Sequence, residues 1–187
     1  MKKGLILGLL ALSTVAMSTG TNTTSVDVVT DLTLNGTGII ITPEEGGNQN
    51  GFIHLPHGTK DVPTASKTAS IPAYIKSTTG ALPAGIVVRI DLDADKSNKN
   101  NLSIGGTATS PAEKIAHTLT GTIENGTTTK PALTISGDTV NDNAEVITTK
   151  DILKVNFVSD ITQEAMTGKM VGTYKNTSNL SVTVLAK

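Results

Sequence analysis

Four groups of side chains in this sequence are of kinds that chemistry uses. His54-Leu55-Pro56-His57 sets two imidazoles at i and i+3. A suitable turn could aim both at one metal ion, but a protein zinc site takes at least three protein ligands, and no third lies nearby. The pair reads as two histidines in a surface loop. Asp91-Leu92-Asp93-Ala94-Asp95 alternates carboxylates like the opening of a calcium loop. Such a loop needs Gly at its sharp turn and a closing bidentate Glu. Lys96 and Leu102 stand at those places, and Lys96 and Lys99 repel a cation. Asp91 and Asp93 are therefore expected on the solvent face of a strand leading into a hairpin. His117 lies amid many Ser, Thr and Asp, but no Gly-x-Ser-x-Gly elbow accompanies it. It falls on the apolar face of an alternating stretch, which predicts a packed histidine rather than a base. Glu44 and Glu45 are adjacent in a Gly-rich loop, so they do not converge across a bond as paired catalytic carboxylates must. No catalytic, cofactor-binding or metal-binding residue is assigned, and a non-enzyme is expected.

Composition narrows the field further. The 187 residues include no Cys, no Trp, two Tyr, two Phe and 31 Thr. Without Cys there is no thiolate metal site, iron–sulfur cluster, thiol nucleophile or disulfide. With so few aromatic rings, neither nucleobases nor sugars find stacking platforms. The formal net charge is -1, and removal of Lys2 and Lys3 with a leader would lower it by two. A mildly acidic surface does not attract phosphate backbones, so no nucleic-acid partner is expected. Abundant Thr, Gly and Asn favour short strands and many turns over helices.

The elements that must position these residues follow from the pattern. Met1-Lys2-Lys3 and the apolar run Leu5 to Met17 make the n- and h-regions of a signal peptide, with cleavage expected after Ser18. The run is shorter than the roughly 20 apolar residues needed to span a bilayer. Residues 19–36 form an N-terminal extension ending at the turn signal Asn35-Gly36, and residues 37–187 a single domain. Within the extension Val26, Val28, Thr30, Leu32 and Leu34 share one face, and Ser25, Asp27, Val29, Asp31 and Thr33 the other. That is the period-2 pattern of a strand with one buried face. Further strands are expected at Gly38–Thr42, Phe52–Leu55, Ser70–Lys76, Ile86–Leu92, Ile115–Ile123, Ala132–Ser136, Val146–Val158 and Met170–Leu185. Pro72 moves its strand towards an edge. Single helical turns are expected at Pro111–Ala116 and Asp160–Met166. The pattern predicts an all-β sandwich.

The two ends carry a resemblance. Gly172-Thr173-Tyr174 opens a final strand in which Leu180, Val182 and Val184 alternate inward, and the sequence stops at Lys187. This resembles the C-terminus of chaperone–usher fimbrial subunits, and Val26 to Leu34 resembles their donor strand. Ala81-Leu82-Pro83-Ala84-Gly85 and the Thr-rich, Cys-free composition look like major pilins of the enterobacterial colonisation-factor type. Ala186 stands where many such subunits carry an aromatic, and many carry a disulfide that this chain lacks. The resemblance implies an immunoglobulin-like sandwich, incomplete alone and completed by donor-strand exchange. It implies a structural subunit of a surface fimbria supporting cell adhesion, exported through the periplasm to the cell surface. The implied partners are copies of the chain joined head-to-tail, a periplasmic chaperone, an outer-membrane usher, and a tip adhesin or host receptor. Val26, Val28, Thr30, Leu32 and Leu34 would insert; Gly172, Tyr174, Leu180, Val182 and Val184 would border the groove. Thr30 is the polar member of the inserting row.

The logic also stands on physics. A sandwich with an open edge exposes unpaired backbone and apolar surface, a hazard unless filled. A tethered strand can fill the edge of a neighbour, and non-closing head-to-tail contacts build a fibre. The alternative is a monomeric secreted or surface β-sandwich binding module whose residues 26–34 form the first strand of its own sheet.

Overall fold

The computed structural model describes residues 26–35, 39–47, 53–57, 66–78, 81–94, 99–104 and 110–186. The expected leader, residues 19–25 and most of the carboxylate-rich hairpin lie outside these. The first strands are β1 (Val26–Asn35), β2 (Ile39–Thr42), β3 (Ile53–His54), β4 (Lys67–Ser77), β5 (Val87–Ala94) and β6 (Asn101–Ile104). A 3-10 turn at Pro111–Glu113 precedes β7 (Lys114–Ala116), β8 (Thr118–Glu124), β9 (Gly126–Thr127), β10 (Ala132–Ser136) and β11 (Asn141–Thr148). Last come β12 (Leu153–Ile161), the one-turn helix α1 (Gln163–Met166) and β13 (Gly172–Ala186). The two expected helical turns fall within the residues where Pro111 and Thr162 can start them. Thr162 caps α1, its hydroxyl accepting from the Ala165 N–H at 3.2 Å.

These strands form an immunoglobulin-like all-β sandwich. One sheet runs β3-β1-β13-β5-β11-β9, with β6 beside β13 and β7 beside β6; the other runs β10-β8-β12-β4-β2. Pairing is antiparallel throughout, except that β1 lies parallel to β13. Alternation decides which residues meet between the sheets. In β5, Val88, Ile90, Leu92 and Ala94 are buried; in β12, Leu153, Val155, Phe157, Ser159 and Ile161 are. Leu119, Ile123, Leu133, Ile135, Leu180 and Val182 complete much of the same core. A smaller core of Leu102, Ile115, Ile161, Met166 and Tyr174 fills one end.

Four expectations from sequence change in detail. Ile115–Ile123 is not one strand: the chain changes sheets at His117, with β7 joining β6 and β8 joining β10 and β12. Alternation continues through the crossing, so periodicity could not reveal it. Val146–Val158 splits into β11 and β12 around residues 149–152. Pro72 is only locally at an edge, because β2 covers β4 at Tyr74–Ser77 and leaves the Pro72 half uncovered. That half accommodates a residue without an N–H. Asn101, expected to end the hairpin, opens the strand β6 (Asn101–Ile104).

Candidate functional site

The candidate site is the edge of β13 together with the strand that occupies it. Along ten residues β1 follows β13 in register: Val26 beside Gly172, Val28 beside Tyr174, Thr30 beside Asn176, Leu32 beside Ser178 and Leu34 beside Leu180. On β13 this row faces inward, with Tyr174, Asn176, Ser178, Leu180 and Val182 buried and Thr173, Lys175 and Thr177 exposed. Four of the five positions expected to insert thus lie beside buried residues of β13, and Val26 lies beside half-buried Gly172. Among the described residues, only β3 lies outside β1, pairing Ile53 with Leu32 and His54 with Asp31. β13 thus holds β1 along its whole length, while β3 covers two positions of its outer edge.

Of the residues expected to border a groove, Tyr174, Leu180 and Val182 are buried and Gly172 is half-buried. A Cβ at Gly172 would stand 3.3 Å from Ile104 Cδ1, so the small residue lets β6 pack close. Tyr174 is fully buried, and its phenol donates to the carbonyls of Met170 at 2.7 Å and Ala112 at 3.1 Å. Burial raises its pKa above the usual tyrosine value, against the Met170 hydrogen bond and with the Glu113 charge. Val184 is a correction. It keeps register opposite buried Val88 yet is 45% exposed, near the end of β13 and just before the bulge between Val184 and Ala186.

A belt of buried polar residues crosses the interior at one level, and sequence reading assembled only fragments of it. On β12 Ser159 separates Phe157 from Ile161; His117 separates Ile115 from Leu119; on β13 Asn176 and Ser178 separate Tyr174 from Leu180. The Ser159 hydroxyl lies 2.9 Å from His57 Nε2 and 3.1 Å from His117 Nδ1, so one hydroxyl bridges two imidazoles. The surface-loop reading of residues 54–57 is thereby corrected for His57, which is 9% exposed; His54 remains outside. The Leu55 side chain between them enters the core and carries His57 inward. Burial lowers the pKa of His57 to about 4 against the attraction of Asp160. Burial, then repulsion from His57, lowers that of His117 to about 4. Both rings are thus neutral at pH 7. Nearby, Asn100 Nδ2 donates to the carbonyls of Ile135 at 3.0 Å and His117 at 3.3 Å, and Asn176 Nδ2 to that of Asn101 at 2.9 Å.

The register sets Thr30, the polar member of its row, beside Asn176, at the level of this belt. A shift of two residues in one direction would move Thr30 opposite Tyr174, out of the belt; in the other it would set Thr30 opposite Ser178, still within it. The polar position therefore disfavours the first of these registers. Among the described residues no group of three or more His, Cys, Asp or Glu is placed to hold a metal ion. Asp91 and Asp93 lie on the outer face of β5, alternating with buried Ile90, Leu92 and Ala94, and are partly exposed; Asp91 pairs with the Arg89 guanidinium at 2.8 Å. No protein-family model matches the chain, and no curated protein does.

Proposed function

We propose that this chain is a structural subunit of a surface fimbria, joined head-to-tail by donor-strand exchange and supporting cell adhesion. In the fibre, residues 26–34 of one copy take the place along the next copy's β13 that β1 takes in the isolated chain. One observation carries the reading: the edge of β13 holds β1 along all ten of its residues, while among the described residues the other edge of β1 pairs at two positions. A strand held by one edge can leave as a unit, and its vacated edge accepts an identical strand from another copy. A periplasmic chaperone would cover β13 before an outer-membrane usher brings the next subunit. Val28→Arg tests this, since it places a charge within the row expected to insert. The expected result is loss of fibres with the chaperone-bound subunit still recovered. An unchanged fibre yield would show that this strand is not the donor.

A second reading, a monomeric secreted or surface binding module, is favoured by the pairing of β1 within its own sheet. It predicts a mature chain that remains monomeric at every concentration.

A further inference from the structure

We propose that residues 53–57 form an acid-released strap over β1: β3 clamps the outer edge of that strand, and the buried His57 ring is the pin that holds β3 in place. The consequence for strand exchange rests on the donor-strand reading, whereas the strap is a property of the single chain.

Five residues join the clamp to its pin. Ile53 and His54 are β3, registered with Leu32 and Asp31. Among the described residues no other strand pairs with that edge of β1. Beyond β3 burial alternates, with His54 and Pro56 exposed and Leu55 and His57 buried. Pro56 offers no N–H to a ladder and keeps the residue before it extended. The chain after His54 is therefore anchored by side chains rather than by backbone pairing. Leu55 is 1% exposed in the main core. His57 Nε2 lies 2.9 Å from the Ser159 hydroxyl, which ties the outermost strand of one sheet to β12 of the other.

Of the two anchors, only His57 responds to acid. Its ring shares the Ser159 hydroxyl with His117 Nδ1, and its own Nδ1 is buried without a hydrogen-bond partner. Protonation makes both ring nitrogens donors, and the protein offers the second one no acceptor. The surrounding charges are few. From β12 the Asp160 carboxylate attracts the protonated ring. From the β7–β8 crossing His117 opposes a second charge. On β4, the Thr68 hydroxyl donates to Asp160 at 2.5 Å, and Lys67 stands opposite Ile161. On the strap itself His54 stands opposite Asp31 of β1, and β13 brings the neutral Asn176 and Ser178 to this level. Burial outweighs Asp160 and holds the seated ring at a pKa of about 4. A released ring returns to about 6.5. Release is therefore favoured as pH falls through 6.5, and the effect levels off below 4. Once His57 leaves, β3 loses its tie to β12, and the outer edge of β1 is free to peel.

Hydrogen exchange on the mature chain, corrected for the intrinsic pH dependence of exchange, tests the strap. Opening of residues 26–35 is compared with opening of β12 at pH 7 and pH 5. The β1 segment should gain on the order of tenfold more opening than β12 over this interval. His57→Gln, neutral throughout, should abolish the extra gain, and His54→Gln should keep it. Should His57→Gln fail to fold, Ser159→Ala serves instead: it removes the pin's partner and should raise the opening of β1 already at pH 7. Equal gains in β1 and β12 would overturn the strap, since acid would then act through global unfolding alone. An extra gain that persists in His57→Gln, or no effect of Ser159→Ala on β1, would overturn it as well. Selective opening should also bring more SDS-resistant ladders from concentrated folded chain at pH 5 than at pH 7. Selective opening without ladders would leave the strap standing and count against the donor-strand reading.

Discussion

Ser159 has one hydroxyl proton to share between His57 and His117, so one ring donates to its oxygen and the other accepts from it. Protonating the accepting ring removes that acceptor and places a charge in a buried belt beside the second imidazole. The direction of the pH effect follows from the pKa values. An unfolded histidine titrates near 6.5, whereas both rings titrate at about 4 in the fold. The neutral forms therefore contribute stability that is fully present above 6.5, declines as pH falls towards 4, and is absent below it. For His117 the displacement corresponds to about 3 kcal/mol. The two rings share one serine, so their contributions do not add. Denaturant midpoints should fall markedly between pH 7 and pH 4.5, and His117→Leu should remove a large part of that fall. An identical pH dependence in the variant would show that this ring is not responsible. Residue types alone showed His117 as a packed histidine. They did not show its partners, because His57 and Ser159 are 60 and 42 residues away and meet it only when two sheets close.

Strands were the most legible elements, since alternation is local and strong here, as in Val88-Arg89-Ile90-Asp91-Leu92. What alternation cannot carry is partnership. The sheet change at His117 and the parallel placement of β1 depend on contacts between residues far apart in sequence. The same limit hid the place of Gly121, which reads as a gap in the apolar face of β8. In the structure a Cβ there would lie 2.8 Å from Phe157 Cε1 and 2.9 Å from Val155 Cγ1. Gly121 is the space into which the Phe157 ring packs from the neighbouring strand. Gly121→Ala should destabilise the domain by about 1–3 kcal/mol, the usual range for overpacking a closed core. Adding Phe157→Leu to it should cost less than the sum of the two single changes. Additive thermal-melt losses would show that the two sites do not interact. The candidate site divides in the same way. Its two rows were legible as patterns, whereas the match of Thr30 with the Asn176 level required the register.

At the scale of the whole molecule, the proposed function makes the occupied edge of β13 the object of a competition between a chain's own β1 and a neighbour's. A short tether gives the chain's own strand an effective concentration in the millimolar range. At micromolar subunit the self-closed form is therefore favoured, even if the two insertions have equal intrinsic strength. Exchange gains when a chaperone keeps β13 from its own strand and so removes the competitor. In this account polymer and monomer are alternative occupations of one edge, so their ratio must depend on concentration. Mature chain purified without other proteins should be mainly monomeric at micromolar concentration. After unfolding and refolding at increasing concentration, a rising share should run as SDS-resistant ladders, and Val28→Arg should abolish them. Ladders once formed should persist on dilution, because release requires a ten-residue strand to leave β13 as a unit. A share of polymer independent of concentration would contradict the competition. Its absence at millimolar refolding concentrations would favour the self-closed binding module over the fibre subunit.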